Sequence, residues 1–460
     1  MQRLGASGHV VSSRPAMVAA PRTLALDAVL AIESCRYGSS LATRAKPLPS
    51  VDLGAPDLVI DLTASATAQA APILTLEFCG RSTFPVGITA FLAGGPAPEL
   101  AARLDGVVVA RARPMLSDKF WLSRTSNDLL AGAISLIMQS VARFFAGKIE
   151  PLADRVRPTG KDGSFIRHAV PYFCKGVVNR AVQKYQQRRR PFYWQVAYRL
   201  IDGPGVAEVG KLDGSPFSVL PDDGERFYAD PFVFEHDGRH FLFVEEFPYA
   251  TGRGVISVAE LGDDGTFGVP RIVLEEKHHL SYPQVFARDG EIFMIPESGS
   301  AREVVLYRAE QFPDRWIRDT VLMKDSDFND ATLLEANGRF WLLGTERYGF
   351  GSASDTLAIY SAPSLRGPWA AHALNPIAVD HSAARPGGAI FRHGAKLMLP
   401  VQDGSRAYGG GLGLMSLDQL DDSDVRFSPP RPICPGPAWA RAGIHTLNRA
   451  GRVEVVDSAG

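Results

Sequence analysis

The sequence predicts a mainly β protein, a five-bladed β-propeller preceded by a small α/β domain. Three observations carry the prediction. One hairpin pattern recurs five times between Tyr228 and Ser458, at a spacing of about 50 residues that leaves each copy room for four short strands. A glycine sits at the turn of every copy, and an acid or amide closes each second strand. At 460 residues with 45% hydrophobic content, the chain has more core material than one ordinary domain needs.

Residues 1–150 read as the α/β domain, 151–191 as a basic, partly helical connector and 192–460 as the propeller. Met1 to Arg22 holds small residues and a few arginines without a continuous apolar core, which argues against a secretory signal. Leu24 to Ile32 and Leu58 to Leu62 are short apolar runs bounded by turn residues, and Thr125-Ser126-Asn127-Asp128 offers several N-caps before a long helix. Strands alternating with helices make a small α/β layer. The most apolar stretch, Leu129 to Gly147, is interrupted by Gln139, Ser140 and Arg143, and its apolar positions recur at helical spacing. It is predicted as an amphipathic core helix and not as a membrane span. In the connector, Lys184 and Arg188-Arg189-Arg190 follow Tyr172, Phe173 and Tyr185. A solvated helix whose basic end complements its C-terminal dipole is preferred there over a patch for nucleic acid or lipid headgroups.

The five hairpins follow. They are YADPFVFEHDGRHFLFVEEF from Tyr228, SYPQVFARDGEIFMIPES from Ser281, NDATLLEANGRFWLLGTE from Asn329, RPGGAIFRHGAKLMLPVQD from Arg385 and AGIHTLNRAGRVEVVDS from Ala442. Asp237-Gly238, Asp289-Gly290 and Asn337-Gly338 are two-residue hairpin signals; Gly394 and Gly451 mark the other two turns. Gly254 to Glu260, Glu303 to Arg308, Leu357 to Ser361 and Gly411 to Ser416 supply outer strands. The chain ends soon after the fifth hairpin, so Phe192 to Leu200 is expected to complete the last blade and close the ring.

Composition excludes several function classes. Lys plus Arg at 49 against Asp plus Glu at 50 gives a net charge of -1, so no global field attracts nucleic acid or an anionic membrane. Cys35, Cys79, Cys174 and Cys434 are scattered without ligand-like spacing, which points to neither a zinc site nor a disulfide framework and fits a cytoplasmic location. No P-loop, GxGxxG, GxSxG or metal motif is present, so no cofactor and no metal is expected.

In a propeller the starts of the first strands and the ends of the second strands meet at one mouth. That brings together Asp230, Tyr282, Asp330, Arg385 and His445 with Glu245-Glu246, Glu297, Glu346, Gln402-Asp403 and Asp457. Like charges gathered in a concave site raise some carboxyl pKa values, the condition for separate acid and base roles. Asp230, Glu297 and Asp330 are the catalytic candidates; Glu246, His279, Tyr282, Arg385, Gln402, Asp403 and Tyr408 are the substrate-binding candidates. Asp230 before Pro231, and Asp330 in Asn-Asp-Ala, also suit a plain strand start, and Glu297 a solvated loop acid. Glu346 and Asp457 read as structural, and Trp341 as core. Carboxylates, amides and aromatic faces together suit a sugar, and the glycines after Gln402 permit close approach of a ligand.

The segments ADPF, FVEEF, HLSYP, IPES, DAT, ARPGG and QDGSRAYGG, in that order, resemble the N-terminal domain of plant glucosamine inositolphosphorylceramide transferases and its bacterial relatives, over about Phe192 to Leu420. A more distant likeness is to the five-bladed propellers of glycoside hydrolase family 43 and the invertases. That likeness implies Asp230 as base or nucleophile, Glu297 as acid and Asp330 as a pKa-tuning partner. In the plant enzymes the transfer chemistry belongs to a separate C-terminal domain. Leu24 to about Gly147 resembles a shortened formyltransferase segment, through Asp57 to Leu62 and Leu104-Asp105-Gly106, but carries Leu76-Glu77-Phe78-Cys79-Gly80 where those enzymes have a histidine. The expected function is action on, or binding of, a glycan or glycoconjugate, glycosidase-like chemistry being one form of it. The alternative is a non-catalytic binding or scaffold module in polysaccharide or glycolipid assembly.

Overall fold

The computed structural model describes residues 4, 9–11, 23–37, 55–63, 70–93, 98–154, 164–189, 193–349, 351–439, 441 and 443–459. The expectations for Met1 to Arg22 fall largely outside these residues, as do Arg190, Pro191 and Phe192. The chain is mainly β and divides into two compact units. The first is residues 1–190 with 348–352 and 374–380; the second is the remainder.

In the first unit, strands β1 (Val59–Asp61), β2 (Ile73–Phe78), β3 (Leu100–Leu104) and β4 (Val107–Ala112) form one sheet in that order. β1 and β2 pair in parallel and the rest antiparallel. Of the two apolar runs, Leu58 to Leu62 contains β1, whereas Leu24 to Ile32 opens helix α1 (Leu24–Tyr37). Helix α2 is Phe84–Leu92 and the long apolar helix is α3, Leu122–Phe145. The local caps expected at Thr125 to Asp128 lie inside α3. Its first amides are met from another helix: Glu33 of α1 accepts from the backbone N–H of Leu122 at 3.3 Å and Ser123 at 2.7 Å. Such groups need a partner when buried, and sequence distance does not restrict who supplies it. By length and composition α3 could cross a membrane; in the structure 56% of its apolar window is buried, and Leu122, Leu129, Ala133 and Leu136 join the core beside β2 to β4. Helix α4, Phe165–Arg189, buries Phe165 and Ala169 in the same core.

The second unit contains five antiparallel sheets among the described residues. The hairpins pair as Arg226–His236 with Arg239–Pro248, Ser281–Arg288 with Glu291–Glu297, Phe328–Ala336 with Arg339–Glu346, Phe391–His393 with Lys396–Gln402, and Leu447–Ala450 with Val453–Ala459. Asp237 and Gly238, Asp289 and Gly290, and Asn337 and Gly338 all have positive φ, the turn geometry whose twist matches that of the flanking strands. The fifth sheet takes its third strand from Trp194–Leu200, with Ala197 opposite Val456. First strands pack on one another between sheets: Arg226–His236 lies against Ser281–Arg288 and Leu447–Ala450, and Ser281–Arg288 against Phe328–Ala336. Apolar side chains between neighbouring sheets form separate clusters, such as Phe293, Ile295, Phe328 and Leu342 between the second and third.

Candidate functional site

The first strands of sheets one to three share a local distortion. Pairing advances by three residues on one strand and two on its partner between Ala229 and Phe232, between Ser281 and Gln284, and between Asn329 and Thr332. Each step contains a one-residue bulge with a non-glycine residue in the left-handed region: Asp230 (φ 48°), Tyr282 (φ 47°) and Asp330 (φ 50°). Bulges re-aim a side chain, and a left-handed non-glycine persists only where its surroundings compensate. Here the compensation is visible. The Asp230 amide donates to Asp457 Oδ2 at 2.9 Å and the Asp330 amide to Glu297 Oε2 at 3.3 Å. Tyr282 Oη accepts from the Gly388 amide at 2.7 Å and lies 3.0 Å from Thr332 Oγ1, whose own proton goes to the Asp330 carbonyl.

Two linked clusters result. In the first, His445 lies between two carboxylates, with Nδ1 2.8 Å from Asp457 Oδ2 and Nε2 3.4 Å from Asp230 Oδ1. Thr446 fixes both acids: its hydroxyl donates to Asp230 at 3.1 Å and its amide to Asp457 at 2.8 Å. Burial opposes charge on the imidazole, but Asp457 and Asp230 raise His445 to about 9. Burial, joined by the charges of Asp330 and Asp457 and opposed by His445, brings Asp230 to about 6. Three ligand atoms from Asp230, His445 and Asp457 come within 4.8 Å of one another. Each imidazole nitrogen already faces its own carboxylate, so the set fits a clamped imidazolium better than a cation site.

In the second cluster the Arg385 guanidinium holds Asp330 through Nε at 2.6 Å and Nη2 at 3.0 Å, and Glu297 through Nη2 at 3.1 Å. Gln402 Nε2 donates to Asp330 Oδ2 at 2.7 Å and to the Pro386 carbonyl at 2.9 Å. Burial alone would raise Asp330; Arg385 outweighs it and keeps the carboxyl below its usual range. Glu297 goes the other way. Burial first, then the charge of Asp330, push it well up in spite of Arg385. Glu245 is also pushed up, by burial and then by Asp230 and Glu297. His279 accepts the Gly254 amide on Nδ1 at 2.9 Å, which leaves the proton on Nε2, 3.3 Å from Glu245 Oε1. Burial lowers the pKa of this imidazole, in keeping with that neutral form.

The structure gathers Glu297, Asp330, Arg385 and Gln402 in the second cluster and Asp230 in the first, and Tyr282 is held on the Gly388 amide and Thr332. Tyr408 borders the second cluster: the Arg385 guanidinium stands 5.4 Å from its ring centre, Trp194 packs edge-on at 6.0 Å, and the residue is 43% exposed. Two binding candidates lie elsewhere. Glu246 is fully buried on the other face of its strand, paired with Arg226 and accepting from Ser257 Oγ at 2.6 Å. Asp403 caps its own loop by accepting from the Ser405 amide at 2.9 Å. Glu346 binds Ser326 and Tyr360, and Trp341 donates to the Ala336 carbonyl. Sequence reasoning brings Glu245, His445 and Asp457 to the mouth without choosing them as catalytic or binding candidates, and it passes over Trp194. Strand alternation through Phe241, Phe243 and Glu245 was the available signal for the first. Trp194, tilted over His445 at 4.2 Å, had no signal beyond the closing strand.

Residues 221–429 match the family model described as glucosamine inositolphosphorylceramide transferase 1, N-terminal. The chain is 36% identical over 208 residues to glucosamine inositolphosphorylceramide transferase 1 of Oryza sativa subsp. japonica, covering 44% of this chain and 28% of that protein. It is 34% identical over 204 residues to the Arabidopsis thaliana protein of the same name, covering 44% and 26%. The chain thus spans about a quarter of the length of these relatives. Among solved structures, an exo-β-1,3-galactanase from Clostridium thermocellum has TM-score 0.38 at 13% identity, over 51% of this chain and 59% of that one. A family 117 glycoside hydrolase from Zobellia galactanivorans has TM-score 0.35 at 15% identity, over 53% and 76%. The sequence-level similarity therefore lies with the N-terminal part of the plant transferases, and both acids and the arginine of the second cluster fall inside the matched residues.

Proposed function

We propose that the second unit is a five-bladed propeller acting on the glycosidic part of a glycan or glycoconjugate, with Glu297 as general acid, Asp230 as general base or nucleophile, and Asp330 as the ionised partner that tunes both. One observation carries this reading: Arg385 bridges two carboxyls whose surroundings push them apart, Glu297 well up through burial and the charge of Asp330, and Asp330 below its usual range through Arg385. Environments that push neighbouring carboxyls apart are how acid and base roles are divided at neutral pH. His279 and Tyr408 are partly exposed, and Asp230, Glu297 and Arg385, though largely buried, keep 7, 12 and 10% of their side chains open to a ligand. Asp330, Asp457 and Tyr282 are closed off and position the others. The plant relatives' names support a sugar or sugar–lipid ligand. Four free cysteines support a reducing, cytoplasmic setting.

The test is a screen of aryl glycosides with wild type, Glu297→Gln and Asp230→Asn. General acid–base catalysis predicts a fall in kcat of about 10²- to 10⁴-fold for each variant with ligand affinity retained. For Glu297→Gln the loss should shrink with leaving groups that depart without protonation. Equal loss of binding in both variants, with no turnover in wild type, would make the unit a glycan-binding module.

A further inference from the structure

We propose that helix α4 is a membrane-surface element whose free face docks on an anionic phospholipid headgroup layer. Phe165 and Ala169 face the core of the first unit, with Tyr172 and Phe173 packed against it. The other side of the helix is not polar. Ile166, Val170, Cys174, Val178 and Val182 succeed one another at four-residue steps, so they form one continuous row. The aliphatic members are 61, 57, 60 and 50% exposed, Cys174 is exposed, and Val177 beside the row is 58% exposed. Single exposed hydrophobics need no explanation, but a contiguous apolar row on a protein surface marks an interaction site.

The charge on this helix has one sign. Phe165–Arg189 contains Arg167, Lys175, Arg180, Lys184, Arg188 and Arg189, and neither Asp nor Glu. The whole chain has a net charge of -1, so the positive character belongs to this element. An apolar row to enter the acyl boundary and basic residues to meet anionic headgroups are the two features of an interfacial helix. Lys and Arg stems lie along apolar surface while their heads reach the headgroups. Two other occupants fit less well. A second copy of the helix would bring like charges together. A nucleic acid would satisfy the charges and leave the valines in water. Arg180 is partly engaged, 3.6 Å from Asp118, so Lys175 and Lys184 are the better probes.

The full chain is co-sedimented with vesicles of phosphatidylcholine alone and of phosphatidylcholine containing about one-fifth phosphatidylserine. Wild type is expected to bind only the anionic vesicles. The double variant Lys175→Glu/Lys184→Glu should lower the partition coefficient by about tenfold or more, and Val178→Asn/Val182→Asn should lower it at unchanged net charge. All four positions are exposed, so unchanged far-ultraviolet circular dichroism and thermal midpoint are expected for both variants. Equal partition of wild type and both variants, or binding that ignores phosphatidylserine, would overturn the proposal. So would binding to a DNA duplex in place of vesicles that the valine substitutions leave unaltered.

Discussion

At the scale of the residue, Arg385 decides the character of the site. Its guanidinium is the cation that Asp330 and Glu297 share, and all three are largely shielded from water. Removing one partner of a buried ion pair costs far more than the pair is worth, because the charge left behind has lost its solvent and its counter-charge. Arg385→Met is therefore expected to lower unfolding free energy by about 3–5 kcal/mol in denaturant titration. Adding Asp330→Asn should recover part of the loss, since the stranded carboxylate is then gone. Additive losses in the double variant would show that the two side chains do not act as a pair. The acids of this network were legible in the sequence by place, Asp330 at a first-strand start and Glu297 at a second-strand end, but their bridging by Arg385 was not. In Glu245-Glu246 both residues suit the ring by type, and strand alternation divides them, the first toward His279 and the second toward Arg226.

Elements were legible where a repeat or a two-residue turn fixed them. The hairpin glycines and the closing strand Trp194–Leu200 followed from period and from the need to leave no sheet edge unpaired. The bulges were not legible: alternation describes a regular ladder, and an extra residue in one strand shows only as a shift of phase. The helix at Leu24–Tyr37 was also hidden, because a short apolar run has no decisive period. Gly388 shows how narrowly the elements are fitted. It has φ +143°, and a Cβ there would stand 2.2 Å from the Leu447 carbonyl oxygen of the fifth sheet. Its amide also braces Tyr282 of the second sheet. Gly388→Ala should destabilise the chain by about 2–4 kcal/mol through backbone strain and displacement of Leu447. Thermal unfolding checks this, with Gly394→Ala as comparison: Gly394 also has positive φ but nothing within 4 Å of the added Cβ, so its loss should be smaller.

Across the second unit, all five sheets or the segments leading into them contribute charged and polar groups: Asp230 and Glu245 from the first, Glu297 from the second, Asp330 from the third, Gln402 from the fourth with Arg385 from the segment before it, and Asp457 from the fifth with His445 from the segment before it. Buried charged groups of this kind couple the stability of the unit to its protonation. Burial opposes the charge of His445, yet Asp457 and Asp230 lift it from 6.5 to about 9. A folded value above the unfolded one means that its stabilising contribution is complete below 6.5 and is lost as pH rises through about 9. Asp230, lifted by burial from 3.8 to about 6, works in the same direction at lower pH: its contribution is complete below 3.8 and gone above about 6. Because the groups interact, the measured midpoints belong to the cluster and not to single residues. Wild type should therefore lose on the order of 3 kcal/mol of this contribution between about pH 7 and pH 10. His445→Gln lacks the titrating imidazole, so its deficit relative to wild type should be large at the lower pH and shrink at the higher one. Urea unfolding of both proteins at the two pH values isolates the term, since other titrating groups are common to both. A deficit that stays constant would mean that the imidazole is neutral in the folded chain, and that Asp230 faces a hydrogen-bond donor instead of a positive charge.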